Sequence, residues 1–414
     1  MAQPLGAVRS GPVCGPSSFA HWLKRCTKTD SLKIDRRPRK GRGWGLVATQ
    51  QLRPHEVLIS LPWSYLISAP AEADEIDASS SMMPIARELA DMLSRFSGQP
   101  DPWIETLPAS VPLPWLYWND DDIAQLQDEV ILQEIACMRQ SLKQKCQNEL
   151  NIDMVQRALS LVYSRAHMSH GNFIIAPGID NVNHDFSANS FVRTVHSPEA
   201  CQGITALEEV APLPESTPHA NSTGSASVFE LVVGDASIAA GDEVTISYGP
   251  WHNDRYLLHY GFIPESNPHD AVTLFKDHLE LICYAGQQLG TSPLKYVDSC
   301  DCPDFREEVL DTVNKGDEQK IIMMQQGIDT ETLARMVSVM EATFGIKEQQ
   351  EELIRTLLVS RCTDILNSYP TSLEHDVEEL KQLRSKPYDS PLTIALMYRI
   401  SKKNILTSVI RNFN

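Results

Sequence analysis

The chain has 414 residues, enough for two or three domains, and 42% of them are hydrophobic, so wholesale disorder is excluded. Its 36 Lys and Arg residues and 54 Asp and Glu residues give a net charge of −18, which argues against a basic nucleic-acid-binding protein and a stable nucleic-acid partner. No apolar run reaches the roughly 18 residues that span a bilayer, so we expect a soluble protein without a membrane partner.

The first residues have a composition of their own. Residues 1–17 are rich in Gly, Pro, Ala and Ser, and the first acidic residue is Asp30. An acid-free start that contains Arg is typical of an organelle transit peptide, but a disordered or misannotated start over residues 1–18 fits the same composition. Ser18 is a suitable N-cap, and a helical segment is predicted after it over Phe19–Arg25.

A basic run follows between Lys33 and Arg42. Residues 1–42 hold ten of the 36 basic residues and two of the 54 acidic ones. Such a run could bind nucleic acid or act as a nuclear signal. The simpler interpretation, a solvated loop beside an active site, is favoured.

Strand and helix signals alternate through the next part of the chain. Strands are predicted at the end of Gly41–Ala48 and at Val57–Pro62, Phe173–Ile175, Phe229–Val233 and Glu243–Tyr248. Helices are predicted around 84–96 and over 121–168, where Ile131, Ile135, Met138, Leu142 and Cys146 recur at intervals of three or four residues. Residues 71–81 are interpreted as a loop, and 211–227 as a mobile Pro/Ser/Thr-rich insertion.

From about residue 270 the pattern is mostly helical. One helix face is formed by Leu333, Met336, Val337, Met340 and Phe344, another by Leu353, Leu357, Leu358, Cys362 and Ile365, and residues 391–412 predict a last helix. The nine cysteines are odd in number and follow no secretory signal, so we expect reduced thiols in an intracellular protein. Cys300 and Cys302 form the only close pair, and no further ligands at zinc-finger spacing follow, so no metal is expected.

Three patches are candidates for a functional site. The loop Gly41–Gly45 lets a ligand approach the backbone, but it lacks the signatures of phosphate-binding and dinucleotide-binding loops. The segment Ile179–Asp185 has oxygen ligands at alternate positions, without the glycine and glutamate of a calcium loop. The strand before Tyr248 is followed by Tyr260-Gly261-Phe262. Taken singly, these patches fit a tight turn, a polar turn and aromatic core packing equally well.

In this order the patches resemble the SET-domain methyltransferases, in particular the class of the Rubisco large-subunit lysine methyltransferase. Gly241–Tyr248 is similar to the motif that ends in the catalytic tyrosine, and Tyr260-Gly261-Phe262 to the Tyr-Gly-Phe that follows it. Asn183-His184 resembles the Asn-His pair of the cofactor pocket. The chain departs from the family pattern at Arg42, where plant relatives carry an acidic residue, and at Asp185, where Ser often follows the Asn-His pair.

The resemblance implies an α+β fold. A SET domain over residues 19–270 would consist of small β sheets with a helical insert at about 66–168, and an all-α substrate-binding domain would follow over 271–414. It also implies S-adenosylmethionine as cofactor, and the following residues as its site: Gly43, Trp44, Gly45, Arg165, Asn183, His184 and Tyr248. Tyr248 would be the catalytic residue, and the substrate would contact Asp180, Tyr260 and Phe262. For Arg165 and Asp180, a purely structural buried pair is the alternative.

The implied activity is in-line transfer of a methyl group to a protein lysine in a tyrosine-lined channel. The lysine must be neutral although its pKa in water is near 10.4, and an apolar channel favours the neutral amine by desolvation. Protein-histidine methylation and a non-catalytic SET module that only binds protein are the alternatives. We expect a monomer that acts on a protein substrate in the cytoplasm or nucleus, with the chloroplast as another possible compartment.

Overall fold

The computed structural model describes residues 16–27, 32–39, 42–70, 78–95, 102–147, 151–195, 227–290, 321–324, 327–344, 350–383 and 390–413. The predictions for residues 1–15, for most of the loop 71–81, for the insertion up to residue 226 and for Cys300 and Cys302 lie outside these ranges. The chain divides into two units. The first unit comprises the residues up to Trp118 together with Ile135–Trp251 and Arg255–Gly261. The second unit comprises Asn119–Glu134, His252–Asp254 and the residues from Phe262 onward.

The strands are short. They are β1 (Ile34–Arg39), β2 (Gly43–Ala48), β3 (Val57–Pro62), β4 (Ile67–Pro70), β5 (His167–Ser169), β6 (Asn172–Ile175), β7 (Asn183–His184), β8 (Ser190–Val195), β9 (Val228–Val233), β10 (Glu243–Ile246), β11 (Ala271–Phe275) and β12 (Ile321–Met324).

The α-helices range from single turns to six turns. They are α1 (Pro16–Thr27), α2 (Ala78–Arg95), α3 (Pro114–Tyr117), α4 (Asp120–Ala124), α5 (Glu129–Lys145), α6 (Ile152–Arg165), α7 (Asn253–Arg255), α8 (His278–Gln288), α9 (Thr330–Phe344), α10 (Gln350–Ser368), α11 (Leu373–Gln382) and α12 (Pro391–Phe413). A π-helical turn, Tyr256–Tyr260, follows α7 directly.

Strand β10 brings the polar motifs of the first unit together. It lies in a sheet of order β1-β2-β10-β7. It pairs antiparallel with β2, which places Glu243 opposite Val47, and in parallel with β7, which places Asn183 opposite Thr245. The glycine strand, the Asn-His pair and the strand before Tyr248 are therefore neighbours, although they are far apart in the sequence.

The core of the first unit holds these strands in place. Buried apolar side chains from α1, β2, β3, β9 and β10 form one cluster, which includes Leu23, Leu46, Ile59, Leu61, Phe229, Leu231, Val233 and Val244. Each such side chain contributes roughly 1.5–3 kcal/mol when fully buried. Because side chains alternate along a strand, burying one face leaves the polar residues on the other face or at the strand ends.

The second unit is mainly helical, which confirms the predicted helical C-terminal region. Its core includes Met336, Met340, Leu357 and Leu358 from α9 and α10. The difference from the all-α prediction is an antiparallel ribbon of β11 and β12. A four-residue apolar run such as Ile321–Met324 cannot be told from a buried helix segment by periodicity alone, so the sequence did not reveal it.

Three element predictions need correction. Helix α1 begins at Pro16, before the expected cap Ser18. The helical stretch 121–168 is broken into three helices, and Asn151 caps the last of them by accepting a hydrogen bond from the Met154 backbone N–H at 3.3 Å. The basic run is not a loop, because most of it forms β1, which pairs with β2 along its whole length.

Among the described residues, no helix is both long and apolar enough to cross a membrane.

Candidate active site

Gly45 lies beneath a hydrogen bond between two other side chains. The Asn183 amide donates from Nδ2 to Glu243 Oε1 at 2.7 Å and to the Trp44 backbone carbonyl at 3.3 Å. A Cβ atom at position 45 would lie 2.4 Å from Glu243 Oε1 and 2.6 Å from Asn183 Nδ2. Position 45 therefore requires glycine for space, whereas Gly43, with φ 71°, requires it for backbone conformation.

The ring of Trp44 is 41% exposed and faces a cation. The Arg36 guanidinium carbon lies 4.3 Å from the ring centroid, a cation–π contact. Arg36 Nε also donates to Asn181 Oδ1 at 2.8 Å, and Nη2 donates to the Thr106 carbonyl at 2.9 Å. Burial and the nearby Arg165 lower the pKa of Arg36 to about 10, so it remains charged at neutral pH.

Arg36 was not among the predicted site residues. Its one signal in the sequence was the basic run, which was interpreted as a solvated loop beside an active site, with nucleic-acid binding or a nuclear signal as the alternatives. The two departures from the family pattern also prove to be partners, because Arg42 Nη1 lies 3.6 Å from Asp185 Oδ2. Arg39 pairs in turn with Glu243 at 3.1 Å. Arg36, Arg39 and Arg42 thus serve contacts within the site.

His184 is buried, and both of its ring nitrogens have hydrogen-bond partners. Nδ1 accepts from the Tyr248 backbone N–H at 3.1 Å, and Nε2 lies 3.0 Å from the Tyr256 hydroxyl. The ring also packs against Phe186 with 4.4 Å between centroids. Sequence reasoning predicted His184 but missed Tyr256.

Tyr248 follows the end of β10, and its ring stacks on that of Tyr260 with 4.8 Å between centroids. Its hydroxyl donates to the Val182 backbone carbonyl at 2.8 Å. Burial raises the pKa of Tyr248 well above its ordinary value, so the phenol is neutral at physiological pH. Burial also raises the pKa of Tyr260 to about 12. The two tyrosines can therefore act as hydrogen-bonding groups but not as charged ones.

Arg165 and Asp180 form a buried pair. Arg165 Nη1 donates to Asp180 Oδ2 at 3.1 Å and also to the Asp180 carbonyl. The carboxylate accepts further hydrogen bonds from the Gly178 backbone N–H at 2.8 Å and from Trp103 Nε1 at 3.2 Å. Arg165 Nε is buried, and no acceptor for it is found among the described residues.

Phe262 is the predicted site residue that belongs to the second unit. It begins the long C-terminal stretch of the second unit, whereas Tyr248 and Tyr260 belong to the first. The structure thus brings together Gly45, Asn183 and Glu243 in one group, and His184, Tyr248 and Tyr260 in another.

The chain is similar to proteins of known function at low sequence identity. Residues 319–406 match the family model described as Rubisco LSMT substrate-binding. Actin-histidine N-methyltransferase of Gallus gallus is 20% identical over 402 residues, which cover 89% of this chain and 64% of the relative. The enzyme of the same name from Mus musculus is also 20% identical, with 90% and 64% covered. The chain therefore spans less than two thirds of the length of these relatives.

Solved structures show the same fold. The crystal structure of the SET domain of LSMT bound to lysine and AdoHcy matches with a TM-score of 0.63 and 17% identity, over 96% of this chain and 90% of that one. The structure of Rubisco LSMT bound to AdoMet matches with a TM-score of 0.62 and 17% identity, over 96% and 91%. These matches confirm the predicted fold class and the resemblance to Rubisco LSMT in fold.

Proposed function

We propose that the chain is an S-adenosylmethionine-dependent protein-lysine N-methyltransferase. The observation that carries the proposal is the placement of Tyr248. Its neutral hydroxyl belongs to a half-buried side chain just after a strand whose two neighbours carry the glycine motif and the Asn-His pair. The similarity to Rubisco LSMT and to named protein methyltransferases supports the same reaction class.

The residues around β2 and β7 fit S-adenosylmethionine. The cofactor has a carboxylate, and Arg165 Nε is a buried donor that lacks an acceptor among the described residues. Gly43 is exposed and leaves the backbone of β2 open to close approach, and the exposed ring of Trp44 can pack on a ligand. Gly45 makes room for the Asn183 and Glu243 side chains beside it. Asn183 and His184 would complete the binding site. When bound, the cofactor supplies an electrophilic methyl group on a positively charged sulfur.

Residues of the chain then align the amine that receives the methyl group. The proton of the Tyr248 hydroxyl is engaged by the Val182 carbonyl, so the hydroxyl oxygen can accept a hydrogen bond from the incoming amine. Tyr260, stacked on Tyr248, supplies an apolar wall that disfavours the ammonium form of a lysine. Alignment and desolvation are sufficient for an in-line displacement, and no nucleophilic side chain is needed.

Asp180 contributes by holding the segment before Asn183. Its side chain is enclosed and bonded on both oxygens, to Arg165 and Trp103 on one and to the Gly178 N–H on the other. These contacts support the structural alternative for Asp180, in which it fixes the loop and does not contact the substrate. They also support a role for Arg165 as a link between that loop and the cofactor.

Protein histidine is the second candidate acceptor. The specific observation in its favour is that relatives aligned over 89% and 90% of this chain are named actin-histidine N-methyltransferases. A neutral imidazole is a nucleophile near pH 7 without prior deprotonation, because its ordinary pKa is about 6.5. The neutral tyrosines of the channel can hydrogen-bond to either acceptor.

The second unit is proposed to bind the protein substrate. The match of residues 319–406 to a substrate-binding family model supports this role for 271–414. We further propose that the chain acts as a monomer in the cytoplasm or nucleus.

The decisive experiment identifies the methylated atom. The full chain is incubated with labelled S-adenosylmethionine and a cell lysate depleted of the enzyme, and the labelled peptide is sequenced by mass spectrometry. Methyl-lysine supports the main proposal, and methyl-histidine supports the second candidate. Cofactor binding by calorimetry without label in any protein would contradict both.

A further inference from the structure

Tyr256 is fully buried, and its hydroxyl joins two parts of the candidate active site. It lies 3.0 Å from His184 Nε2 and donates to the Gly249 backbone carbonyl at 2.8 Å. Gly249 directly follows Tyr248 in the chain. The Tyr256 side chain therefore contacts both β7, which carries the Asn-His pair, and the turn that follows the proposed catalytic tyrosine.

The protons along this chain of hydrogen bonds have one consistent arrangement. His184 Nδ1 accepts from the Tyr248 backbone N–H, so a neutral ring carries its proton on Nε2. Nε2 then donates to the Tyr256 oxygen, and Tyr256 donates to the Gly249 carbonyl, which can only accept. The other tautomer would set two donors face to face at Nδ1.

These hydrogen bonds also restrain the backbone of Tyr248 and Gly249, where the glycine allows several conformations. Gly249 has φ 121°, in the range where glycine is permissive. The segment is held at the Tyr248 N–H by His184, at the Tyr248 carbonyl by Trp251 Nε1 at 2.6 Å, and at the Gly249 carbonyl by Tyr256. A movement here would displace the Tyr248 hydroxyl from its place beside Val182.

We infer that Tyr256 is a positioning residue: its hydroxyl holds His184 as the Nε2–H tautomer and fixes the Tyr248–Gly249 backbone, so that the Tyr248 hydroxyl is aligned for methyl transfer. This inference rests on the proposed function. The π-helical turn places Tyr256 against His184, with 5.1 Å between centroids, and Tyr260 against Tyr248. Turns of this kind are rare and often occur at functional sites.

The test compares two tyrosine hydroxyls of the first unit in the full chain. Tyr256→Phe is expected to lower kcat roughly 10- to 100-fold, while Kd for S-adenosylmethionine and KM for the protein substrate stay within about twofold. The matched control, Tyr117→Phe, removes the hydroxyl of a half-buried tyrosine at the end of α3, and it should keep kcat within about twofold of wild type. A wild-type kcat for Tyr256→Phe would overturn the inference.

A double-mutant cycle separates positioning from general damage. If Tyr256 acts through Tyr248, adding Tyr256→Phe to Tyr248→Phe should lower the residual rate by less than about twofold. An equal loss in both backgrounds would show that Tyr256 acts independently and would overturn the inference.

Nitrogen NMR of uniformly nitrogen-labelled protein gives a readout that needs no turnover. Wild type should show His184 protonated at Nε2 and not at Nδ1, and Tyr256→Phe should shift that signal and the Tyr248 amide. A proton on Nδ1 in wild type would overturn the inference even if the variant folds poorly, and unchanged signals in a folded variant would overturn it as well. If the wild-type chain transfers no methyl group but these shifts occur, the proposed function fails while the positioning of Tyr248 by Tyr256 is supported.

Discussion

At the scale of single residues, the candidate site depends on side chains that satisfy one another. The Asn183 amide crosses over Gly45 to reach Glu243, and His184 is bonded at both ring nitrogens. Because these groups are buried or half-buried, losing one partner leaves another polar atom without a hydrogen bond. Substitutions here should therefore have effects beyond the atoms removed.

Tyr248→Phe is expected to keep the fold and most of the cofactor affinity, and to lower turnover at least about tenfold. The substitution removes only the hydroxyl, which bonds to the Val182 carbonyl and would align the acceptor nitrogen. Steady-state kinetics with calorimetry of cofactor binding checks this. Turnover near that of wild type would show that another group aligns the acceptor.

Gly45→Ala tests whether position 45 has room for a side chain. The added Cβ would meet Glu243 Oε1 at 2.4 Å and Asn183 Nδ2 at 2.6 Å, so the Asn183–Glu243 hydrogen bond must break or shift. We expect cofactor binding weaker by about 1–3 kcal/mol, measured by calorimetry. Gly171→Asn is the control, because Gly171 has φ 70° and Asn tolerates this conformation. Apart from its chain neighbours, no described residue lies within 4 Å of the place that its Cβ would take. Equal affinities for both variants would contradict the steric argument.

At the scale of secondary-structure elements, α12 shows how a helix can bury cations. Arg399, Lys402 and Lys403 are each at most 1% exposed. Arg399 and Lys403 both pair with Asp376, at 2.7 Å for Arg399. Lys402 pairs with Asp254 at 2.7 Å and with Asp270 at 2.9 Å. These charges are compensated inside the second unit, and they hold α12 against the segments that carry the aspartates.

Lys402→Met should destabilise the second unit strongly. It leaves Asp254 and Asp270 without their shared cation, and an uncompensated buried charge costs about 3–5 kcal/mol. The control is Lys381→Met, which removes an exposed partner of Glu378 at 3.6 Å and should cost less than about 1 kcal/mol. Urea unfolding followed by circular dichroism measures both. A similar loss of stability in the two variants would refute the role of burial.

At the scale of the whole molecule, the proposed tasks are divided between the two units. The motif residues Gly45, Asn183 and Tyr248 belong to the first unit, and the match to the substrate-binding family model falls in the second. The net charge of −18 gives the chain a field that would attract a basic partner. Helix α10 exposes Glu351 and Glu352 in its first turn, while Glu348 lies outside the described residues.

Charge reversal of Glu351 and Glu352 to Lys should slow association with a basic protein substrate and weaken its dependence on salt. The control carries the same change of charge at Glu88 and Asp91, on helix α2 of the first unit. Stopped-flow association at low and moderate salt provides the measurement, and cofactor affinity should be unchanged. Identical salt dependence for wild type and both variants would exclude electrostatic recruitment by α10.

The sequence by itself determined five of the strands (β2, β3, β6, β9 and β10), their motifs and the helical C-terminal region. Alternating apolar residues, glycine turns and helical spacing are local properties, so Val57–Pro62 was predicted with its observed bounds and β9 to within one residue. The order Gly45, Asn183, Tyr248 was also readable, because each motif lies within a few consecutive residues.

Only the tertiary structure decided which residues meet. Partners far along the chain settle three questions that the sequence left open. They decide whether Arg36 faces solvent or bonds to Asn181, whether Lys402 is exposed or enclosed by aspartates, and whether Tyr256 packs as a core residue or bonds to His184. For the candidate site, the physical reason is that β10 pairs in parallel with β7, and parallel neighbours come from segments that are far apart in the sequence. The side-chain contacts of the site follow from that pairing.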